Sequence, residues 1–92
     1  MADEPVRLVA IHRRFRQDLR YWVETDRKMA LRVLTLMEEV VRDPLRGIGK
    51  PEPLSHDLQG AWSRRIDEAN RLVYLVSRER IDFLQCRYHY GK

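Results

Sequence analysis

The stretch that decides the fold covers residues 54–88 and reads LSHDLQGAWSRRIDEANRLVYLVSRERIDFLQCRY. Short runs rich in β-branched, aromatic and other apolar residues alternate here with polar turns, a pattern typical of strands. The predicted strands cover residues 54–58, 61–66, 72–77 and 81–88. Connections this short join neighbouring antiparallel strands, so we expect a β-meander.

In the N-terminal half, one β-rich run is followed by apolar residues at helical spacing. Residues 6–11 form one β-rich run and predict a first strand. Phe15, Leu19 and Trp22 then recur at helical spacing and predict an amphipathic helix. The opposite face of this helix is mostly basic and carries Arg13, Arg16, Arg20, Glu24 and Arg27.

A second helix follows at once. Thr25-Asp26 can cap its start, and the stretch Asp43-Pro44 ends it. Its predicted apolar stripe consists of Ala30, Val33, Leu34, Met37 and Val41. One strand, a two-helix hairpin and a meander predict an α+β fold with the helices on one face of the sheet.

Composition restricts the class of protein. The 92 residues suffice for one domain, which we expect to span residues 1–92. Eighteen Lys and Arg against 14 Asp and Glu give a net charge of +4, and arginine dominates the basic residues. Arginine is well suited to phosphate and to bases, so nucleic acid is the leading partner class.

The sequence shows no sign of export or of a membrane segment. Its one cysteine, Cys86, allows no internal disulfide, and spaced Cys/His pairs for zinc are absent. No basic segment followed by an apolar run begins the chain, and no apolar run approaches a membrane span. We therefore expect a soluble cytoplasmic protein without a metal.

Strand parity predicts where some polar side chains point. In the last strand, Leu84, Cys86 and Tyr88 alternate with Gln85, Arg87 and His89, so the first set can join the core. In the 61–66 strand, Arg65 has the opposite parity to Trp62. We expect Arg65, Arg87 and His89 to line an open face that can bind phosphate.

Four ordered segments carry a family resemblance: Gly49-Lys50-Pro51-Glu52-Pro53-Leu54, Trp62-Ser63-Arg64-Arg65-Ile66, Arg71-Leu72-Val73-Tyr74 and Cys86-Arg87-Tyr88-His89-Tyr90. In order and spacing they resemble the YoeB (Txe) family of bacterial toxins. The similarity extends from about residue 8 to residue 90 and includes Tyr21-Trp22, Thr25-Asp26 and Arg42-Asp43-Pro44. The RelE/ParE-like fold of that family is the α+β arrangement predicted above.

The resemblance implies a toxin of a type II toxin–antitoxin system. Such a toxin is a metal-independent endoribonuclease that needs no cofactor and cleaves mRNA in the ribosomal A site. The catalytic residues that it implies are Glu52, Arg65, Arg71, His89 and Tyr90. We expect further RNA contacts from Lys50, His56, Arg64 and Arg87.

These residue types suit RNA cleavage by the RNA's own 2′-hydroxyl. Glu52, held between two prolines, can take up the hydroxyl proton or orient the hydroxyl. His89 can protonate the leaving oxygen near neutral pH, while Tyr90 is a second proton donor or a stacking platform for a base. Arg65 and Arg71 can stabilise the charge on phosphate, or in the free protein form surface ion pairs with Asp67 or Glu68.

Three positions depart from the family pattern. Ser55 replaces a frequent lysine, Asn70 replaces a common histidine, and Gly91-Lys92 follow the tyrosine at which the family usually ends.

The resemblance also implies partners. These are a YefM-like antitoxin, the ribosome with its mRNA, a second copy of the chain in a homodimer, and operator DNA reached only through the antitoxin. The alternatives are a non-enzymatic ParE-like gyrase inhibitor, which would not need Glu52 with His89 and Tyr90, and a simple RNA-binding module.

Overall fold

The computed structural model of the chain describes residues 6–54 and 59–88. The elements are β1 (Leu8–Ile11), α1 (Arg13–Thr25), α2 (Arg27–Arg42), β2 (Glu52–Pro53), β3 (Ala61–Arg65), β4 (Arg71–Val76) and β5 (Arg80–Gln85). This order confirms the predicted α+β arrangement of a strand, a two-helix hairpin and a meander. The structure has a strand, β2, just before the predicted strand at residues 54–58. Residues 55–58 themselves lie outside the described residues.

The sheet has five strands in the order β1-β5-β4-β3-β2. The pairs β2–β3, β3–β4 and β4–β5 are antiparallel, as the short turns predict, whereas β1 pairs with β5 in parallel. A parallel neighbour requires a long crossover, and the two helices supply it. The sheet therefore places β1 at one edge and β2, with Glu52, at the other.

The helix boundaries follow from local sequence. The side chain of Asp26 caps α2 by accepting a hydrogen bond from the amide of Met29 at 3.3 Å, as predicted. At the other end, Pro44 disfavours helical backbone at the residue before it, and α2 ends at Arg42. Phe15 and Trp22 of α1 are buried, which confirms the predicted inner face of that helix.

The buried stripe of α2 differs in part from the prediction. Ala30, Val33, Leu36 and Val40 are buried, whereas Leu34 and Val41 are 43% and 45% exposed. Apolar residues lie on two adjacent sides of this helix, so the period alone allowed either stripe. Packing against the sheet selects Leu36 and Val40, because these lie on the same side of the helix as Val33.

The predicted inward parity of the last strand is confirmed at Cys86 and wrong at Tyr88, and the strand contains a β-bulge. Tyr74 pairs with Phe83 and Val73 with Gln85, so Leu84 is an extra residue on β5. Phe83 and Cys86 are therefore both buried in the core. Tyr88, predicted to pack inside, is 54% exposed.

The core lies between the helices and one face of the sheet. Its buried residues are Phe15, Trp22, Ala30, Val33, Leu36, Val40, Ile66, Leu72, Tyr74, Ile81, Phe83 and Cys86. The alternate residues of β3 and β4 project from the opposite face. Among the described residues, no helix is long and apolar enough to cross a membrane.

Candidate functional site

Glu52, Arg65 and Arg71 project from the sheet face opposite the helices. Leu72 and Tyr74 belong to the core, so Arg71 and Val73 point the other way. Arg65 is directly opposite Arg71, and Glu52 is directly opposite Ser63. Directly opposite residues share a face, and diagonal neighbours such as Glu52 and Arg65 are typically about 7–8 Å apart, within reach of long side chains.

Backbone hydrogen bonds join the segments that carry the predicted site into one row. The amide of Arg65 donates to the carbonyl of Gly49 at 2.7 Å, next to Lys50. Arg65 pairs with Arg71 across β3 and β4, and the amide of Arg71 donates to the carbonyl of Tyr88 at 3.1 Å. The start of the predicted catalytic C-terminus therefore lies beside Arg71. His89 and Tyr90 themselves lie outside the described residues, as does His56.

The side chains in this row are available to a ligand to different degrees. Lys50, Glu52 and Arg65 are exposed, and Arg71 is half-buried. Arg71 Nη1 donates to the carbonyl oxygens of Asp67 and Glu68 at 2.9 and 3.3 Å. These contacts are made with main-chain oxygens of Asp67 and Glu68, and arginine has further N–H groups for phosphate.

Arg64 does not contribute to this surface, so its predicted contact with RNA is wrong. Its side chain is fully buried, and its guanidinium donates to carbonyl oxygens of the loop after α2. Nη2 donates to Asp43 and Arg46 at 2.6 and 2.9 Å, and Nη1 donates to Ile48 at 3.1 Å. Arg64 points inward because it has the same parity as Trp62.

The loop that leads to Lys50 is shaped around Arg64. Gly47 and Gly49 have φ values of +126° and +85°, which favour glycine. A Cβ added at Gly49 would lie 3.1 Å from Cβ of Arg64 and 3.0 Å from Leu36 Cδ2. The glycines thus allow the loop to approach the buried arginine closely, in keeping with the absence of a phosphate-binding Walker pattern in the sequence.

Arg87 is half-buried and stacks between two aromatic rings. Its Cζ lies 3.4 Å from the centroid of the Tyr21 ring and 4.6 Å from that of Tyr88. Stacking uses the faces of the guanidinium and leaves its N–H groups in the plane. The RNA contact of Arg87 stays a prediction, and its contact with Tyr21 links this end of the sheet to α1.

Two side chains of α1 hold the chain at Cys86. The Trp22 indole Nε1 donates to the Cys86 carbonyl at 2.8 Å, and the Cys86 amide donates to Asp18 at 3.0 Å. Arg14 forms two 3.0 Å hydrogen bonds with the buried carboxylate of Asp18. Sequence reasoning assigned Trp22 to the core but missed Asp18, whose helical spacing from Phe15 and Trp22 was the available signal.

Helix α1 carries further exposed cations. Arg13, Arg16 and Arg20 are exposed along the predicted outer face of that helix. Within residues 6–54 and 59–88, no group of three or more His, Cys, Asp and Glu could hold a metal ion. The described part of the site therefore consists of one carboxylate, Glu52, among arginines and Lys50.

Comparison with known proteins identifies the family. Residues 12–90 match the YoeB-like toxins of bacterial type II toxin–antitoxin systems. The chain is 49% identical over 74 residues to toxin YoeB of Streptomyces coelicolor, a match that covers 80% of this chain and 88% of that protein. It is 48% identical over 73 residues to toxin YoeB of Escherichia coli K12, with 79% and 87% covered.

Solved structures agree with the sequence match. A YoeB/ParE toxin from Agrobacterium tumefaciens superposes with a TM-score of 0.85 at 38% identity, covering 90% of this chain and 99% of that one. A YoeB dimer from Staphylococcus aureus gives 0.83 at 36% identity, with 92% and 99% covered. A heterotetrameric YoeB–YefM complex from that organism gives 0.80 at 38% identity, with 91% and 99% covered. This chain therefore belongs to the family of YoeB-like toxins of bacterial type II toxin–antitoxin systems.

Proposed function

We propose that this toxin is a metal-independent endoribonuclease that binds the ribosome and cleaves mRNA in the A site. The observation that carries the proposal is the row in which Lys50, Arg65, Arg71 and Tyr88 come from neighbouring segments of the backbone. Glu52 projects from the same face, and His89 and Tyr90 follow Tyr88 directly in the chain. This row supports the proposal, because it brings Glu52, Arg65 and Arg71 close to Tyr88, the residue that directly precedes His89 in the chain.

The proposed reaction uses the RNA's own 2′-hydroxyl. Its oxygen attacks the adjacent phosphorus, the bond from phosphorus to the 5′-oxygen breaks, and a 2′,3′-cyclic phosphate and a 5′-hydroxyl result. Glu52 accepts or orients the 2′-hydroxyl proton, and His89 donates a proton to the leaving 5′-oxygen. Arg65 and Arg71 stabilise the charge that develops on the phosphate. Tyr90 stacks on a base or assists proton transfer.

The ribosome would meet both the sheet edge and α1. Arg13, Arg16 and Arg20 present positive charge beside the end of the sheet that Arg87 links to Tyr21. Ribosomal RNA is a polyanion, and contacts with its phosphates release counterions and favour binding. Lys50 and Arg87 are the proposed contacts with the mRNA.

The proposed protein partners follow from relatives of known structure. The Staphylococcus aureus toxins, 36–38% identical to this chain, form a dimer in one structure and a YoeB–YefM complex in another. We expect a YefM-like antitoxin and a homodimer here too. Binding to operator DNA would then occur through the antitoxin.

The test is to map new RNA ends after incubating the protein with mRNA, with and without translating ribosomes. We expect ends at the A-site codon only when ribosomes are present, with a 2′,3′-cyclic phosphate on the upstream fragment. Intact mRNA on the ribosome would contradict the proposal. A parallel assay of DNA gyrase supercoiling would then test the ParE-like alternative.

A further inference from the structure

We propose that Asn70 is a positioning residue for RNA cleavage, which acts by fixing the backbone at Tyr88, the residue that directly precedes the proposed general acid His89. The inference rests on the proposed function, because it assigns a role within that site. Asn70 is buried, yet it is polar and lies in the turn between β3 and β4. Sequence reasoning gave it no part in the chemistry.

Asn70 forms a hydrogen bond with the backbone of the C-terminal segment. The amide of Tyr88 donates to Asn70 Oδ1 at 2.6 Å, across 18 residues of sequence. The carbonyl of the same residue accepts from the amide of Arg71 at 3.1 Å. Both polar groups of the Tyr88 backbone are therefore held by consecutive residues, Asn70 and Arg71, at the start of β4.

The partners of the Asn70 side-chain amide fix its orientation. Its Nδ2 donates to the carboxylate of Asp67, at 3.1 Å to Oδ1 and 3.4 Å to Oδ2. A carboxylate can only accept and a backbone N–H can only donate, so the amide fits these partners in one orientation. Asp67 Oδ1 also accepts from the amides of Ala69 and Asn70, which fixes the turn itself.

Tyr88 has an unusual backbone conformation. Its φ is +69°, in the left-handed region that a bulky residue other than glycine rarely adopts. Such a conformation is strained and persists where surrounding contacts determine it. The hydrogen bond from the Tyr88 amide to Asn70 Oδ1 is one contact that stabilises this conformation. The next residue along the chain is His89, so the contact acts on the residue that directly precedes the proposed general acid.

The proposal predicts a loss in the chemical step without a loss of ribosome binding. Asn70→Leu removes the acceptor at similar side-chain size. We expect single-turnover cleavage at saturating ribosome complexes to fall at least tenfold, about 1.4 kcal/mol of barrier. We expect the dissociation constant for ribosomes to stay within threefold of the wild-type value, because the exposed cations are untouched.

Ser77→Ala provides a matched control at the other end of β4. Ser77 Oγ accepts a 3.1 Å hydrogen bond from the Arg80 amide, so the variant also deletes a bond from side chain to backbone beside a turn. We expect it to cleave within twofold of the wild type. If Asn70→Leu cleaves as fast as Ser77→Ala while the wild type is active, the inference is overturned.

A measurement on the folded wild type tests the anchor directly. A scalar coupling through the hydrogen bond between the Tyr88 amide nitrogen and Asn70 Cγ is expected in NMR spectra, together with slow exchange of that amide. Absence of the coupling and fast exchange would overturn the anchor, even if an Asn70 variant does not fold. A wild type with this coupling that cleaves no mRNA would instead refute the proposed function and the catalytic role of the anchor.

Discussion

Arg64 Nε donates a 3.1 Å hydrogen bond to the hydroxyl oxygen of Tyr74 inside the protein. The Tyr74 hydroxyl in turn donates to the carbonyl of Pro44 at 2.7 Å. Burial raises the pKa of Tyr74, so the hydroxyl stays protonated as this donor. Together the two side chains attach the loop after α2, which leads to Lys50 and Glu52, to the middle of the sheet.

Arg64→Met should therefore destabilise the fold, whereas Arg65→Met should not. The first change leaves the buried Tyr74 hydroxyl and three partly buried carbonyl oxygens without the Arg64 donors. An unsatisfied buried group costs about 1–3 kcal/mol, so we expect a total loss of at least about 3 kcal/mol in the free energy of unfolding. Arg65 is exposed, and its change should cost within about 0.5 kcal/mol. Urea denaturation measures both, and equal losses would contradict the different roles of these neighbours.

Glu52→Gln and His89→Gln should each lower cleavage on the ribosome at least about tenfold, because each change removes a group for proton transfer or orientation. Ribosome binding should persist, since neither residue supplies the main positive charge. The measurement is the single-turnover rate at saturating ribosome complexes, beside the dissociation constant. Wild-type rates for both variants would rule out the acid/base assignment.

Arg16→Glu should weaken association with the ribosome and make its dependence on salt shallower, because it removes a phosphate contact. Arg78→Glu is the matched control: it makes the same change in net charge at an exposed position in the turn between β4 and β5. Binding titrations at several salt concentrations compare them. Equal effects of the two changes would show that α1 has no specific role.

Cys86 should be unreactive in the folded protein. Its side chain is fully buried, and burial raises the pKa of its thiol well above the ordinary range, so little thiolate forms. It is also the single cysteine of the chain. A thiol-specific chromogenic reagent should label the protein in full in denaturant and hardly at all under native conditions. Rapid native labelling would disagree with this packing.

Asp82 should make stability fall at acid pH. Its hydrogen bonds with Arg80, and then that with His12, lower the pKa of the folded carboxyl to about 2. The unfolded value is about 3.9. The contribution is therefore complete above about pH 4 and is lost as the pH falls towards about 2.

Asp82→Asn should be less stable than the wild type near neutral pH and should lose less stability over that acid window. Glu24→Gln, which alters an exposed pair with Arg20, is the control and should follow the wild-type curve. Urea midpoints at a series of pH values provide the comparison. Parallel curves for Asp82→Asn and the wild type would exclude Asp82 as the titrating group.

Local patterns in the sequence were sufficient for the order of the elements. Helical spacing of Phe15 and Trp22, the Asp26 cap and the helix end at Asp43-Pro44 depend on residues close in the chain, and each prediction agrees with the structure. The family motifs likewise supplied Glu52, Arg65 and Arg71 as candidates, and strand parity placed Arg65 away from Trp62. Such patterns depend on residues close in the chain and do not depend on which residues pack against either face of the sheet.

The tertiary structure alone decided what each polar side chain contacts. Strand parity turns Arg64 inward, but the carbonyl oxygens that stabilise its buried guanidinium belong to the loop after α2, 16 to 21 residues away in the chain, and no local pattern identifies them. The bulge at Leu84 allows both Phe83 and Cys86 to face the core, and β5 ends at Gln85, so period two does not extend to Tyr88. Asn70 likewise acquires its role from a backbone 18 residues away, because a buried amide is stable where distant partners satisfy its hydrogen bonds.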